Sequence, residues 1–339
     1  MSAPAFADST KPIYTISPEA LQSHGINPAF IVAAHMSDGG KRLVVAEHRP
    51  GKTSVLHVFD EKGGYRYAVP VPSPQLVDFY VEGDGQSAFL VGSLGTRFYV
   101  ANLQTKTSQL VMSSLPDRPG FRALTPVTIV PSAEGPAVYG LFYEDEKKSR
   151  DLGFARIDEN GDPKSLLTTT NWENSFGQVL SFSPHPEFKG ALVVHQDRKG
   201  DPKAKKSKQL SYAPRGGTPR LLDFGDEIFG ATWLPDGSSA IYVRKRGGAG
   251  QLMMRLLSSA EPVVLAEGRY FAPKMLAKRR LVVSKLDDRQ KQEVWVMTVP
   301  AGEPQKLELP GPTAFYSADP TGTALAAWGA WGVSAFQFN

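Results

Sequence analysis

The chain of 339 residues contains no cysteine. That absence excludes disulfides, thiolate metal sites and cysteine nucleophiles together. No run of about 18 apolar residues occurs, so no helix of this chain is expected to span a bilayer. Neither a Gly-x-Ser-x-Gly elbow nor a His-Glu-x-x-His pair is present, which removes the local signatures of an α/β-hydrolase and of a zinc protease. Strong charge bias is missing too: 38 basic against 34 acidic residues leave a formal net charge of +4. That is little for a nucleic-acid-binding domain, and no aromatics interleave the basic run for base stacking. Finally, no long segment repeats apolar residues at i, i+3, i+4 and i+7, so long amphipathic helices are not expected.

What is present is a foldable composition, 41% hydrophobic and 10% aromatic, with 32 Gly and 27 Pro distributed as in a chain that turns often. A short turn signal followed by an apolar strand recurs along the whole length. It stands at Asp38-Gly39 before Leu43-Val44-Val45, at Asp84-Gly85 before Phe89-Leu90-Val91, and at Glu134-Gly135 before Val138-Tyr139. It returns at Lys189-Gly190, Asp236-Gly237 and Thr321-Gly322, with a degenerate copy at Lys278-Arg279 before Leu281-Val282-Val283. Aligned on residues 39, 85, 135, 190, 237, 278 and 322, the spacings are 46, 50, 55, 47, 41 and 44. A period of this size fits one four-stranded propeller blade per repeat. The turn is expected to be a two-residue link with both central residues at positive φ, which suits a tight hairpin.

The clearest copy runs from Phe229 to Gly268, and the last supplies only three strands before Asn339. The missing fourth is available as Pro12-Ile13-Tyr14-Thr15-Ile16, and an N-terminal strand completing the C-terminal blade removes an exposed sheet edge. The fold class expected is therefore all-β: one seven-bladed β-propeller over residues 12–339, with a six-bladed ring as the alternative. Residues 1–11 are read as a disordered start or the stub of a trimmed export signal, because Ala5-Phe6-Ala7 before Asp8 has the small-x-small form of a cleavage site.

Leu234-Pro235-Asp236-Gly237 with Ile241-Tyr242-Val243, and Glu293-Val294-Trp295-Val296-Met297 followed by Gly302 and Lys306-Leu307, resemble the blades of TolB-type, WD40-like propellers. The resemblance covers most of the chain at blade level and is strong in two or three copies. It implies the propeller fold, a place in a bacterial envelope (periplasmic or secreted, with the cytoplasm as the alternative), and ligand contacts at the end where outer-to-inner crossings and second-to-third hairpins gather. The α/β domain that precedes the TolB propeller is not expected here, so its tethering role is not carried over.

On that end the strand assignment places His48, Arg49, Arg244, Arg246, Trp172, Arg269, Tyr270 and Trp331, with Pro18 to Asn27 crossing the face and partly capping the channel mouth. The sharpest compositional feature is a basic loop. Arg198, Lys199, Lys203, Lys205, Lys206, Lys208, Arg215 and Arg220 stand against the single acid Asp201. Charges that dense are solvated, and they suit an acidic protein patch or an anionic polymer or lipid surface. By half, residues 1–169 carry 16 bases and 18 acids and residues 170–339 carry 22 and 16, so a polyanion contact favours the second half. Arg246-Gly247-Gly248-Ala249-Gly250 lacks the Gly-Lys-Ser/Thr ending of a phosphate loop and reads as a hairpin. His185 is placed in a turn with no special role, and His35, His57 and His195 read as packed strand residues. No cofactor, metal site or catalytic residue is implied. The function expected is a non-catalytic scaffold with an envelope protein partner. The alternatives are a lactonase-, glycosidase- or lyase-like propeller enzyme and a carbohydrate- or small-ligand-binding propeller.

Overall fold

The computed structural model describes residues 10–73, 76–81, 84–92, 97–112, 121–130, 137–144, 152–157, 163–168, 178–196, 207–312, 315–319 and 321–338. Among them are seven four-stranded antiparallel sheets, six of them formed by four strands consecutive in the chain. The seventh joins Phe315–Ala318, Ala324–Gly329 and Gly332–Gln337 to Tyr14–Ile16. Tyr14, Thr15 and Ile16 pair with Ala335, Ser334 and Val333, so the closure expected from the sequence is the one observed. The inner strands of successive sheets touch in turn around the molecule, and the inner strand of the closing sheet returns to that of the first. The fold is a multi-bladed β-propeller. No helix among the described residues is long and apolar enough to cross a membrane.

The sequence pattern of each strand follows from its place in a sheet sandwiched between two others. Second strands read as nearly continuous apolar runs because both faces are covered. Arg42–Glu47, Gly190–Gln196 and Arg280–Leu286 are buried along almost their whole length. Outer strands such as Val263–Glu267 are largely exposed. Each apolar cluster is the seam between two neighbouring sheets. One joins Val44, Leu56 and Val58 to Phe79, Val81 and Leu90, and another joins Ile241, Val243 and Leu252 to Leu281 and Val283.

The seam at the closure is filled by the segment expected to cap the channel. Ser17 accepts a hydrogen bond from Ala20 N and starts a one-turn helix, Pro18–Ser23, with Pro at its first position. Leu21 and Ile26 from this segment are fully buried among Ile16, Met36, Leu43 and Phe59. Burying two such side chains contributes on the order of 3–6 kcal/mol. Their place is between the first and closing sheets.

The turn geometry corrects the sequence expectation. Gly39, Gly85, Gly237 and Gly322 lie at φ between 60° and 68°, but the residues before them do not lie at positive φ. The link is longer than two residues: Leu234 N donates to Ser239 O, Gly237 N to Leu234 O, and Asp236 accepts from Ser238 N at 2.9 Å. The Asp side chain thus replaces a backbone acceptor, and only the glycine adopts the left-handed conformation. Two consecutive positive-φ residues occur in the copy that lacks glycine, at Lys278 (54°) and Arg279 (59°).

Candidate functional site

The two ends of the propeller differ. One, the loop end, gathers the second-to-third hairpins and the outer-to-inner crossings; the other, the turn end, carries the turns just described. His48, Arg49, Lys208, Arg244, Arg246, Arg269, Tyr270 and Trp331 all sit at the loop end by their positions in the strands. Arg215 does not. It follows the third strand Lys208–Pro214, and its backbone N–H donates to Lys189 O beside the inner-to-second turn, which puts it at the turn end. Lys203, Lys205, Lys206 and Trp172 lie outside the described residues.

Two of the expected cations are bound to internal acids. Arg244, only 9% exposed, places Nη1 at 3.2 and 3.0 Å from the two carboxylate oxygens of Asp223 and Nη2 at 2.7 Å from Gln251 Oε1. Tyr242 donates its hydroxyl to the same carboxylate, and burial followed by Asp223 raises its phenol above the usual range. Arg49 reaches buried Glu47 at 2.9 Å and also donates to Gly25 O. Glu47 in addition accepts from Asn27 N at 2.8 Å and lies 3.2 Å from His57 Nε2. Burial holds the His57 imidazole below its ordinary value, with Glu47 opposing. These networks hold the hairpins in place.

The remaining cations are presented differently. Arg246 is exposed, with its guanidinium 4.9 Å from the centre of the Phe224 ring. Arg269 is exposed, whereas Tyr270 is buried beneath Lys285, whose ammonium stands 5.6 Å from the Tyr270 ring and 5.4 Å from Trp295. His48 contacts Ser54 Oγ at 3.2 Å, and Lys208 donates to Gln196 at 3.0 Å. Trp331 lies over Gly311, where an added Cβ would come within 2.0 Å of the ring, so its side chain packs against the crossing segment.

His185 also departs from expectation. It is buried, its Nδ1 accepts from Glu187 N at 3.0 Å, and Nε2 therefore carries the proton donated to Gly237 O at 3.2 Å. The imidazole joins the fourth sheet to the turn of the fifth and is held below its usual pKa by burial. Among the described residues no group of three or more His, Asp or Glu is placed to hold a metal ion.

Sequence reasoning missed a feature of the inner strands. Six of the seven carry a register shift against the second strand at nearly the same place: 31/33, 76/78, 124/127, 179/181, 228/231 and 271/274. The shift at 124/127 holds two extra residues and the others one, and a single extra residue breaks the two-residue alternation, so side chains three apart across it share a side. Val32 then shares the side of His35, Leu180 that of Ser183, and Phe229 that of Thr232, and His35, Ser183 and Thr232 all line the turn end of the channel. Toward the loop end the bulges leave Val32 (41%), Leu180 (37%) and Phe229 (42%) exposed, and Phe315 (63%), in the inner strand without a shift, joins them by ordinary alternation with Ser317. Phe315 stacks on Trp328 with ring centres 5.9 Å apart. The available signal was an apolar residue three positions before His35, Ser183 and Thr232.

No protein-family model matches this chain, and no curated protein matches it in sequence. Solved structures do. An oligogalacturonate lyase from Vibrio parahaemolyticus superimposes with a TM-score of 0.62 at 13% identity, covering 91% of this chain and 89% of that one. A puromycin-hydrolysing peptidase from Mycobacterium tuberculosis gives 0.62 at 14% identity and covers 96% of this chain, which spans about half of the peptidase (52%). The Dos1 propeller gives 0.52 at 12% identity, covering 91% and 78%. At these identities the likeness concerns architecture, and it establishes the chain as a β-propeller whose structural neighbours include enzymes.

Proposed function

We propose that the chain is a non-catalytic propeller that binds an acidic protein partner at its loop end. The observation that carries this reading is the exposed apolar set Val32, Leu180, Phe229 and Phe315, accompanied at the same end by exposed Lys245, Arg246 and Arg269. Apolar side chains exposed within a polar rim are the anatomy of a protein contact, with aromatic anchors supplying affinity and charges supplying rate and orientation. Phe229→Asp and Phe315→Asp are each expected to lower capture of the partner from host envelope extract by about 30-fold, the effect of losing a hot spot of about 2 kcal/mol. Unchanged capture by both variants would contradict the reading. The blade motifs quoted above support kinship with TolB-type propellers, and Ala5-Phe6-Ala7 supports export to an envelope; fractionation of the host tests the latter.

A second reading is favoured by the near whole-length likeness to a lyase. In it the channel mouth of this chain acts on an acidic sugar polymer. Release of unsaturated product from oligogalacturonate, with and without added divalent cations, would support it; no turnover under either condition would remove it.

A further inference from the structure

The turn end of the channel opens into a cavity of about 520 Å³, lined by the inner strands of six sheets. Its volume lies within the ~300–1,000 Å³ range of small-molecule sites, which are mostly apolar with a few placed polar groups. The wall has that character. Pro184, Pro186, Pro235 and Met275 supply apolar parts of it.

The polar groups on the wall are largely engaged. Ser317 donates to Ala34 O, and the Asp319 carboxylate accepts from Ala324 N at 2.7 Å and from Thr321 Oγ1, both within its own turn. His35 is hydrogen-bonded to the backbone of Ala318 and packs edge-on against Phe79 at 4.5 Å. Burial, with the nearby Lys274 ammonium adding to it, pushes its imidazole down to about 3, so it is neutral. Lys274 is the exception. It lines the cavity, is exposed to it, and makes no ion pair or hydrogen bond among the described residues. An exposed ammonium beside apolar walls, with no carboxylate paired to it among the described residues, is a point of attachment for an anion.

We propose that this cavity binds a small organic carboxylate, with the carboxylate on Lys274 and an apolar body against Pro184, Pro235 and Met275. A single point charge fits one carboxylate. A phosphate would call for a second cation, an arginine fork or a helix N-terminus, and none of these is on the wall among the described residues. The site lies at the end opposite the partner face and stands independently of that reading.

The test uses the full chain with ¹⁵N-labelled histidine and phenylacetate as probe, with phenylacetamide and inorganic phosphate as comparisons. Phenylacetate is expected to shift the His35 ring signals saturably, because its charge meets the ammonium that acts on that ring. Lys274→Met is expected to weaken binding at least tenfold and Lys274→Arg to retain it. The Arg variant guards against a folding defect at this position. Equal binding of phenylacetamide, equal or tighter binding of phosphate, undiminished binding by Lys274→Met, or no saturable shift in the millimolar range would each overturn the proposal.

Discussion

Replacing Asp223 by Ala tests whether Arg244 belongs to the framework or to the binding face. In the native fold Asp223 accepts two contacts from Arg244, at 3.2 and 3.0 Å, and the hydroxyl of Tyr242, and its side chain is only 7% exposed. Without it, Arg244 keeps only Gln251 at 2.7 Å among the described residues, and a nearly buried cation loses its counterion. Breaking such a pair by removing one partner costs about 3–5 kcal/mol. Unfolding entropy of about 2.1 cal/mol/K per residue, applied to a cooperative chain of this length, converts that to a fall of roughly 4–7 °C in melting temperature. Differential scanning calorimetry at neutral pH measures it. Asp223→Ala with Arg244→Met is expected to recover most of the loss, because the uncompensated charge is gone. A fall of less than about 1 °C for Asp223→Ala, as for an exposed pair, would refute this reasoning and return Arg244 to the residues available for a ligand.

Three further outcomes follow from the same geometry. His35, His57 and His185 are all held below the ordinary imidazole value by burial, so below about pH 6.5 the unfolded chain binds protons that the folded chain does not. Stability is complete above that pH and declines on acidification toward the lowered folded values; urea midpoints at pH 7 and pH 5 measure it, and His35→Asn is expected to flatten the decline. At Gly237 an added Cβ would lie 2.2 Å from His185 Nε2 at a φ of +67°, so Gly237→Ala is expected to cost at least about 2 kcal/mol, part of it recovered by His185→Ala. Lys278 adopts φ +54° without being glycine, so Lys278→Asn is expected to raise the urea midpoint slightly, by about 0.5 kcal/mol in stability, and a lowered midpoint would contradict the strain argument.

The architecture was legible because a propeller repeats one local instruction. A turn residue, a glycine and an apolar run recur at six of the seven second strands, as at Asp236-Gly237 before Ile241-Tyr242-Val243, and the three-stranded last repeat announced its partner in Tyr14–Ile16. The turn type was not legible, because Asp236 takes over a backbone hydrogen bond that only coordinates reveal. The face was legible as an end of the ring, since strand order alone assigns Arg246 and Arg269 to it. Whether a charge is presented or consumed there was not: Arg244 and Arg246 share one face of the same strand, and the first reaches Asp223 while the second, at the hairpin end, stays exposed. The bulges were hidden for a similar reason. An extra residue in Ile31–Ser37 or Gln178–Pro184 is defined only against the neighbouring strand, and it decides which apolar side chains reach the channel.

Site-specific photo-crosslinking in the native host shows which end of the propeller meets a protein. A photoreactive residue is placed at Phe229 or Phe315 of the loop end, and at Arg215 or Gly216 of the turn end as the comparison. One common protein adduct is expected from both loop-end positions, diminished by high salt, and none from the turn end. Adducts from the turn end alone, or from neither end, would contradict the loop-end reading.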